Sequence, residues 1–342
     1  MKIIAACAIF LSALFFVRAE DTPSTRAAFL KLIDRPRVEP APEIGEPKED
    51  GEFKIVHFTY LSEANERVPG IALHLTAPPS PRLPCVIVMH GTGGKKENEL
   101  GLLKQIATRG GLGIAIDARY HGERAGGLPG TDAYNAAILK RFKGEAKNFP
   151  LYWDTVWDAM RLIDILSARE DVDASRIGVM GISKGGIEAY FLAAADARVA
   201  VAVPCIGVQS FKWGIENDGW HGRVGTIKKS FDAAAQASGV FAPNAEFVRT
   251  FFDKVAPGIY GAFDGPQMLP LIAPRPLLMI NGDGDANTPL PGVMLAAEAA
   301  KAVYEKTGAA VKFKQIVESK TGHKVNSDSE KAALDWLETW LK

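Results

Sequence analysis

At the centre of the chain stands the sequence Gly181-Ile182-Ser183-Lys184-Gly185-Gly186. The apolar stretch 176–180 before it predicts a buried strand, and the stretch 187–195 after it predicts a helix. A serine with glycines two residues to either side, at a strand-to-helix turn, is the pattern that presents a nucleophilic hydroxyl above the edge of a sheet. The turn is so tight that side chains at positions 181 and 185 would collide with neighbouring backbone. We therefore predict that Ser183 is a nucleophile.

Strands and helices alternate along most of the sequence. The apolar runs are continuous, which is typical of strands buried on both faces of a parallel sheet. The alternation predicts an α/β fold, with a mostly parallel twisted sheet and helices on both faces. Predicted strands cover 85–89, 113–116, 176–180, 199–203, 277–280 and 311–316, and predicted helices cover 100–108, 152–168, 187–195, 293–304 and 331–341. Upstream, the segments 53–60 and 71–77 alternate apolar and polar residues, which predicts an antiparallel pair with a turn around 66–70.

Composition excludes several classes of protein. The chain has 342 residues, of which 47% are hydrophobic and 23% charged, as in an ordinary soluble protein with one large core. It carries 40 basic and 40 acidic residues, and no run of Lys or Arg points to nucleic acid or to an acidic membrane surface. We expect neither as a partner.

The N-terminus has the pattern of a secretory signal. Lys2 precedes an almost wholly apolar run from 3 to 17, and residues 17–19 offer a cleavage site before Glu20. The alternative is a membrane anchor, but the run is shorter than the roughly 20 residues that a spanning helix needs. We predict a signal peptide over 1–19 and a secreted or periplasmic protein that does not contact the membrane after cleavage.

The remaining chain is predicted to consist of an N-terminal arm (20–50) and a catalytic domain (51–342). The arm is rich in proline and charge, with a short helical pattern around 27–33. Cleavage removes Cys7 and leaves Cys85 and Cys205, which we expect to be buried free thiols.

Two intervals break the alternation. Residues 118–150 form a long polar, glycine-bearing loop, and residues 206–271 form an insertion with helical patterns at 227–237 and 246–255. Insertions of this length between sheet strands are commonly lids or pocket walls, although peripheral decoration is the alternative.

A serine nucleophile needs a base, and the base needs an acid that orients it. With this type of turn the order along the chain is serine, acid, histidine. His323, after the last predicted strand, fits as the base. His221 lies before the loop that is expected to carry the acid (residues 281–289, the acid loop) and would break the order. The acid loop holds two aspartates. We favour Asp285 and interpret Asp283 as a turn residue.

Acyl transfer also needs hydrogen-bond donors for the developing oxyanion. The backbone N–H of Lys184 is one predicted donor, because it directly follows the nucleophile. The second donor is predicted in the glycine-rich loop 90–94, with Thr92 first and Gly93 second, and His90 is interpreted as a brace of that loop. Asp117 and Arg119 are interpreted as an ion pair that pins the next loop.

Five stretches together resemble the α/β-hydrolase superfamily. They are His90-Gly91-Thr92-Gly93-Gly94, Asp117 to Gly122, the serine turn, Gly282 to Pro289, and Gly322-His323. The sequence is most similar to the branch that holds dienelactone hydrolase-like proteins, acetyl xylan esterases and prolyl oligopeptidase-type catalytic domains. It departs from dienelactone hydrolases in having serine at position 183, and from the oligopeptidases in lacking room for a propeller before the catalytic domain.

The sequence therefore predicts a serine carboxylic-ester hydrolase with a Ser183-His323-Asp285 triad that works through an acyl-enzyme. Its substrate is expected to be a short acyl ester or a carbohydrate or aryl ester, with no cofactor and no metal. Two alternatives stay open at this point: a peptidase or amidase with the same triad, and a non-catalytic binding protein on the same scaffold. Acyl preference and oligomeric state are not predicted.

Overall fold

Ten strands form one mixed sheet with helices on both faces, in a computed structural model that describes residues 22–342. The predicted signal peptide at 1–19 lies outside these residues. The predicted α/β fold, with a mostly parallel sheet and helices on both faces, is confirmed by this arrangement.

The bounds of the elements are as follows. The strands are β1 (Glu43–Ile44), β2 (Lys48–Asp50), β3 (Phe53–Glu63), β4 (Glu66–Leu75), β5 (Leu83–Met89), β6 (Leu112–Ile116), β7 (Val172–Ile182), β8 (Val199–Cys205), β9 (Leu277–Gly282) and β10 (Phe313–Glu318). The helices are α1 (Thr22–Ile33), α2 (Leu100–Thr108), α3 (Asp132–Lys143), α4 (Trp153–Ala168), α5 (Lys184–Ala195), α6 (Phe211–Glu216), α7 (His221–Gly225), α8 (Lys228–Ala237), α9 (Ala245–Val255), α10 (Gly265–Met268), α11 (Leu290–Lys306) and α12 (Ser327–Trp340).

The sheet is parallel where the site lies. Its order is β1-β3-β4-β6-β5-β7-β8-β9-β10, with β2 paired to β3. The pairs from β6 through β10 are parallel, and those that involve β1 to β4 are antiparallel. The loops after β5, β7, β9 and β10 therefore leave the sheet at the same edge, which is where α/β proteins build their sites.

Apolar side chains fill both faces of the sheet. One face is covered by α1, α4, α5 and the insertion, and its core includes the fully buried rings of Trp153 and Phe191, 4.5 Å apart. The other face is covered by α2 and α12, with Leu103 and Leu334 in its core. Burial of such side chains contributes about 1.5–3 kcal/mol each, which fixes the sheet as a rigid base for its edge loops.

The first hairpin differs from the sequence prediction. The turn was expected around 66–70, but β4 begins at Glu66, and only Ala64 and Asn65 lie between the strands. Pro69 and Gly70 are strand residues. Gly70 is required there because the ring of Phe58 on β3 lies against it and would overlap any side chain.

The interval 118–150 is not a loop throughout. It contains α3 at Asp132–Lys143, which packs on α8 and α9 of the insertion. The helix was not predicted because many of its residues are polar and its apolar stripe is weak: Tyr134, Ile138 and Phe142 are the large apolar residues of a buried face that also includes Ala133, Asn135 and Ala137.

The N-terminal segment is tied to the rest of the chain. Phe29 of α1 is fully buried and contacts the rings of Trp153 and Phe191, each with centroids 5.2 Å away. Arg26 donates to the carbonyl of Ala194 (2.8 Å), at the end of α5. The segment 20–50 thus contributes a helix to the core and two short strands to the sheet, from residue 22 onward.

Cys85 and Cys205 are buried free thiols, as predicted. Burial raises the pKa of Cys85 to about 12 and raises that of Cys205 as well. In residues 22–342, no helix has both the length and the apolar character that a membrane crossing requires.

Candidate active site

Ser183 sits on a strained turn between β7 and α5. Its backbone has φ 58° and ψ −114°, a conformation that costs a non-glycine residue about 1–3 kcal/mol. The flanking glycines make the turn possible: a methyl group on Gly181 would overlap the backbone of Gly185, and one on Gly185 would overlap the carbonyl of Met89. The hydroxyl is held over the sheet edge at the first turn of α5.

Two side chains from other loops meet this serine. His323, in the loop after β10, lies with Nε2 2.7 Å from Ser183 Oγ and with Nδ1 2.7 Å from Asp285 Oδ2. Asp285 follows β9 and is buried, whereas the His323 side chain is 27% exposed. The structure therefore brings together all three side chains of the predicted triad.

Asp285 is held by more than the histidine. Its Oδ1 accepts from the backbone N–H of Asn287 (2.8 Å), and its Oδ2 accepts from the Thr288 hydroxyl (2.7 Å). Burial raises the pKa of Asp285, but the bonds from His323 and Thr288 outweigh it and lower the pKa overall. The carboxylate is thus ionised at neutral pH and able to stabilise a charged imidazole.

The two alternative residues lie elsewhere. Asp283 is exposed and accepts from the backbone N–H of Thr321 (3.1 Å), so it ties two loops together rather than orienting the histidine. His221 is exposed in the insertion, where it contacts Asp218 (3.0 Å) and stacks against the ring of Trp220.

The loop after β5 faces the serine from the other side. Gly91 approaches Ser183 so closely that a methyl group there would lie 3.6 Å from the serine Cβ. His90 braces the loop as interpreted from the sequence: its Nε2 accepts from Ala118 N–H (3.1 Å) and its Nδ1 donates to the Gly91 carbonyl (2.8 Å). Burial and the nearby charge of Lys184 lower the pKa of His90 to about 4, so it stays neutral.

The Lys184 side chain does not reach the pocket. It is 1% exposed, forms an ion pair with Glu188 one turn along α5, and lies over the ring of Tyr134 with Nζ 5.6 Å from its centroid. Its backbone N–H, predicted to bind the oxyanion, belongs to the first residue of α5. The side chain is therefore not available to attract an anionic substrate.

An open pocket of about 570 Å³ surrounds these groups. Its walls combine small apolar groups beside the serine with hydroxyl, amide and charged groups further out. The lining residues are Gly91, Thr92, Thr131, Ile182, Ser183, Ile206, Thr226, Asn287, His323, Lys324, Val325 and Glu330. No group of His, Cys, Asp and Glu able to hold a metal ion occurs in the described part of the chain.

Several of these wall residues escaped the sequence analysis. Asn287 lies in the acid loop beside Thr288. A pair of polar residues close to Asp285 is a signal that could have identified the hydrogen-bond partners of that carboxylate. Thr131 and Thr226 lie in irregular segments and carry no pattern that marks them.

Asp117 and Arg119 do not pair with each other, contrary to the interpretation from the sequence. Asp117 accepts from Lys96 Nζ (2.9 Å), and Arg119 donates through Nε to Asp158 (2.9 Å), a buried residue of α4. Both residues lie beyond the end of β6, where the chain turns, and each side chain has its partner on a different element.

We expect Asp158→Asn to destabilise the protein by about 3–5 kcal/mol at pH 7, because it removes the fully buried carboxylate that Arg119 and Arg124 share and leaves these arginines with partly exposed glutamates as partners. These arginines hold the pKa of Asp158 below its usual range although burial raises it. Its contribution is therefore present above the unfolded pKa of about 3.9 and is lost as the pH falls. Denaturant unfolding at pH 7 and at about pH 2, well below the unfolded pKa, measures the loss. Asp171→Asn, in an exposed pair with Arg169, is the control and should cost at most about 1 kcal/mol; equal losses would contradict the argument.

Two family models match the sequence. "Acetyl xylan esterase (AXE1)" matches residues 42–210, and "Glucuronyl esterase, fungi" matches residues 143–308. Together they extend over both sides of the serine turn and over the acid loop.

Individual proteins are similar as well. The Bacillus subtilis (strain 168) protein YtaP, named as a hydrolase, is 27% identical over 273 residues, which cover 75% of this chain and 79% of that protein. The acetyl xylan esterase from Paenibacillus sp. R4 superposes with a TM-score of 0.67 at 22% identity, covering 95% of this chain and 96% of the other. Acetyl xylan esterase 1 from Thermoanaerobacterium sp. JW/SL YS485 gives a TM-score of 0.66 at 20% identity, with 94% of each chain covered.

Proposed function

Since this chain belongs to the α/β-hydrolase superfamily, as a serine hydrolase of its esterase branch, we propose that Ser183, His323 and Asp285 are its catalytic triad. The observation that carries the proposal is the pair of 2.7 Å contacts that join His323 to the serine hydroxyl and to the aspartate. Each nitrogen of the imidazole has the partner that general-base catalysis requires.

The proposed reaction has two steps. Ser183 Oγ attacks the ester carbonyl while His323 Nε2 takes its proton, and the tetrahedral intermediate collapses as His323 returns that proton to the leaving alcohol. Water then attacks the acyl-enzyme, again giving a proton to His323, and the carboxylic acid leaves as Ser183 regains its hydrogen. The N–H groups of Thr92 and Lys184 bind the oxyanion in both steps.

We further propose that the substrate is a short acyl ester of a carbohydrate. The apolar groups that line the pocket with Ser183 come from Gly91, Ile182 and Ile206, and the branched side chains of the two isoleucines favour a short acyl group such as acetyl. The outer wall offers hydroxyls of Thr131 and Thr226, which suit a polyhydroxylated alcohol. The matching families are named for acetyl xylan and glucuronyl esters, both carried by carbohydrates.

The proposed site of action is outside the cytoplasm. The support is the secretory pattern over residues 1–19, together with the expectation that an enzyme acting on polymeric carbohydrate must meet it there.

A panel of substrates tests the function. We expect the purified enzyme to hydrolyse aryl acetates and acetylated xylo-oligosaccharides, with kcat/KM at least about 10-fold above that for aryl octanoate, because the branched side chains of Ile182 and Ile206 are proposed to limit the acyl chain. Aminoacyl arylamides should be cleaved far more slowly. Preference for the arylamide would favour a peptidase, and failure of both hydrolysis and fluorophosphonate labelling would favour a binding protein.

A further inference from the structure

A helix of the insertion lies directly against the acid loop. Gly222, in α7, approaches the backbone of Ala286 and the side chain of Asn287 so closely that a methyl group on it would overlap the carbonyl oxygen of Ala286 and lie 2.8 Å from Asn287 Oδ1. The insertion therefore touches the segment that immediately follows Asp285. A glycine is needed at this point for that contact.

A hydrogen-bonded chain runs beside the same contact. The donors and acceptors around Gln209 assign its amide oxygen to the side of Arg223; in that orientation the oxygen accepts from Arg223 Nε (3.0 Å) and the amide nitrogen donates to the carbonyl of Asn287 (3.2 Å). Arg223 is the residue after Gly222, and Gln209 lies in the segment after β8. Two separate contacts from the insertion thus converge on residues 286 and 287.

Arg223, at one end of this row of hydrogen bonds, is an unusual residue to find buried. It is only 3% exposed, and within residues 22–342 it has no acidic partner and its Nη2 has no hydrogen-bond partner. Burying a guanidinium without a carboxylate partner lowers the stability of the folded protein, so the presence of Arg223 at this position requires an explanation. Its charge strengthens the bond to Gln209, since hydrogen bonds from ionised donors are about twice as strong as neutral ones.

The contacts of the insertion with residues 286 and 287 also constrain the carboxylate of Asp285. The backbone N–H of Asn287 donates to Asp285 Oδ1 (2.8 Å), so the position of residue 287 fixes one oxygen of the acid while His323 uses the other. We propose that the insertion is a clamp on the acid loop, in which Gly222, Arg223 and Gln209 are positioning residues that orient Asp285 toward His323. This inference rests on the proposed triad and assigns the insertion a part in catalysis besides forming a pocket wall.

The first test is Gly222→Ala. We expect kcat to fall about 10–100-fold with KM little changed, because a displacement of about 1 Å in a catalytic group can cost 10²-fold in rate. Gly225→Ala is the matched control: it lies on the same helix, a methyl group there meets open space, and its activity should stay within about two-fold of wild type. Equal activities of the two variants would overturn the clamp.

The second test separates positioning from stability. Gln209→Glu keeps an acceptor for Arg223 and adds an ion pair, but it replaces the donor to the Asn287 carbonyl with an oxygen that repels it. The clamp predicts that Gln209→Glu loses as much kcat as Gln209→Leu while unfolding at or above the temperature of Gln209→Leu. Wild-type kcat in Gln209→Glu would contradict the proposal even if Gly222→Ala failed to fold.

A spectroscopic readout keeps this test independent of turnover. The proton shared by His323 Nδ1 and Asp285 should give a downfield proton NMR resonance that is absent in Asp285→Asn. The clamp predicts that this resonance moves in Gly222→Ala and Gln209→Glu and is unchanged in Gly225→Ala. Absence of ester hydrolysis by the wild type would refute the proposed function, whereas an unmoved resonance in both variants would refute the clamp.

Discussion

Ser183→Ala is expected to lower kcat for an aryl acetate by about 10⁶-fold, the size of loss that removal of a serine nucleophile causes where base and acid act as one unit with it. The hydroxyl has His323 Nε2 as its hydrogen-bond partner, so the variant should fold normally and bind substrate with little change. Residual hydrolysis above that in water would come from the oxyanion donors and from binding. Initial rates at high enzyme concentration, with fluorophosphonate labelling, measure the loss.

The control for this variant is Ser175→Ala, an exposed serine on the same strand β7. It should retain full activity and full labelling. A Ser183→Ala enzyme that kept one tenth of the wild-type rate would show that another residue attacks the ester.

Asp285→Asn is expected to lower kcat by about 10⁴-fold. An amide in place of the carboxylate cannot carry the negative charge that stabilises the imidazolium, and its NH₂ group would favour the wrong tautomer of His323. The native carboxylate has a lowered pKa, so at neutral pH it is charged and the variant removes that charge. Single-turnover kinetics with an aryl acetate measure the effect on acylation.

Asp283→Asn is the matched comparison, because it changes the same group in the same loop two residues away. Asp283 binds the backbone N–H of Thr321, so we expect a loss of loop order with activity within a few-fold of wild type. If Asp283→Asn were the more damaging change, the acid would have been assigned to the wrong aspartate.

Much of the site could be predicted because it depends on local geometry. The glycines around Ser183 are required by close backbone contacts, and such requirements are visible in a sequence. The convergence of Ser183, Asp285 and His323 follows from parallel strands whose carboxyl ends meet at one edge of the sheet. The helices α2, α4 and α9 were predicted to within a residue or two at each end because their apolar periodicity is strong.

The features that the sequence did not predict depend on contacts between segments that are distant along the chain. Helix α3 was missed because its few apolar residues are buried by α8 and α9, which lie about a hundred residues later. The turn at Ala64 and Asn65 was misplaced because Pro69 and Gly70 usually mark turns, yet here a ring from the neighbouring strand takes the space of the missing side chain. No pattern within either segment carries that information.

The burial of Phe29 has a practical consequence for experiments on this protein. Its ring contacts Trp153, Phe191 and Phe263, so it joins two helices that pack on the sheet to the insertion. An expression clone that began at residue 51 would expose those three rings to water and invite aggregation. Recombinant material for the assays above should therefore keep the sequence from Glu20 onward.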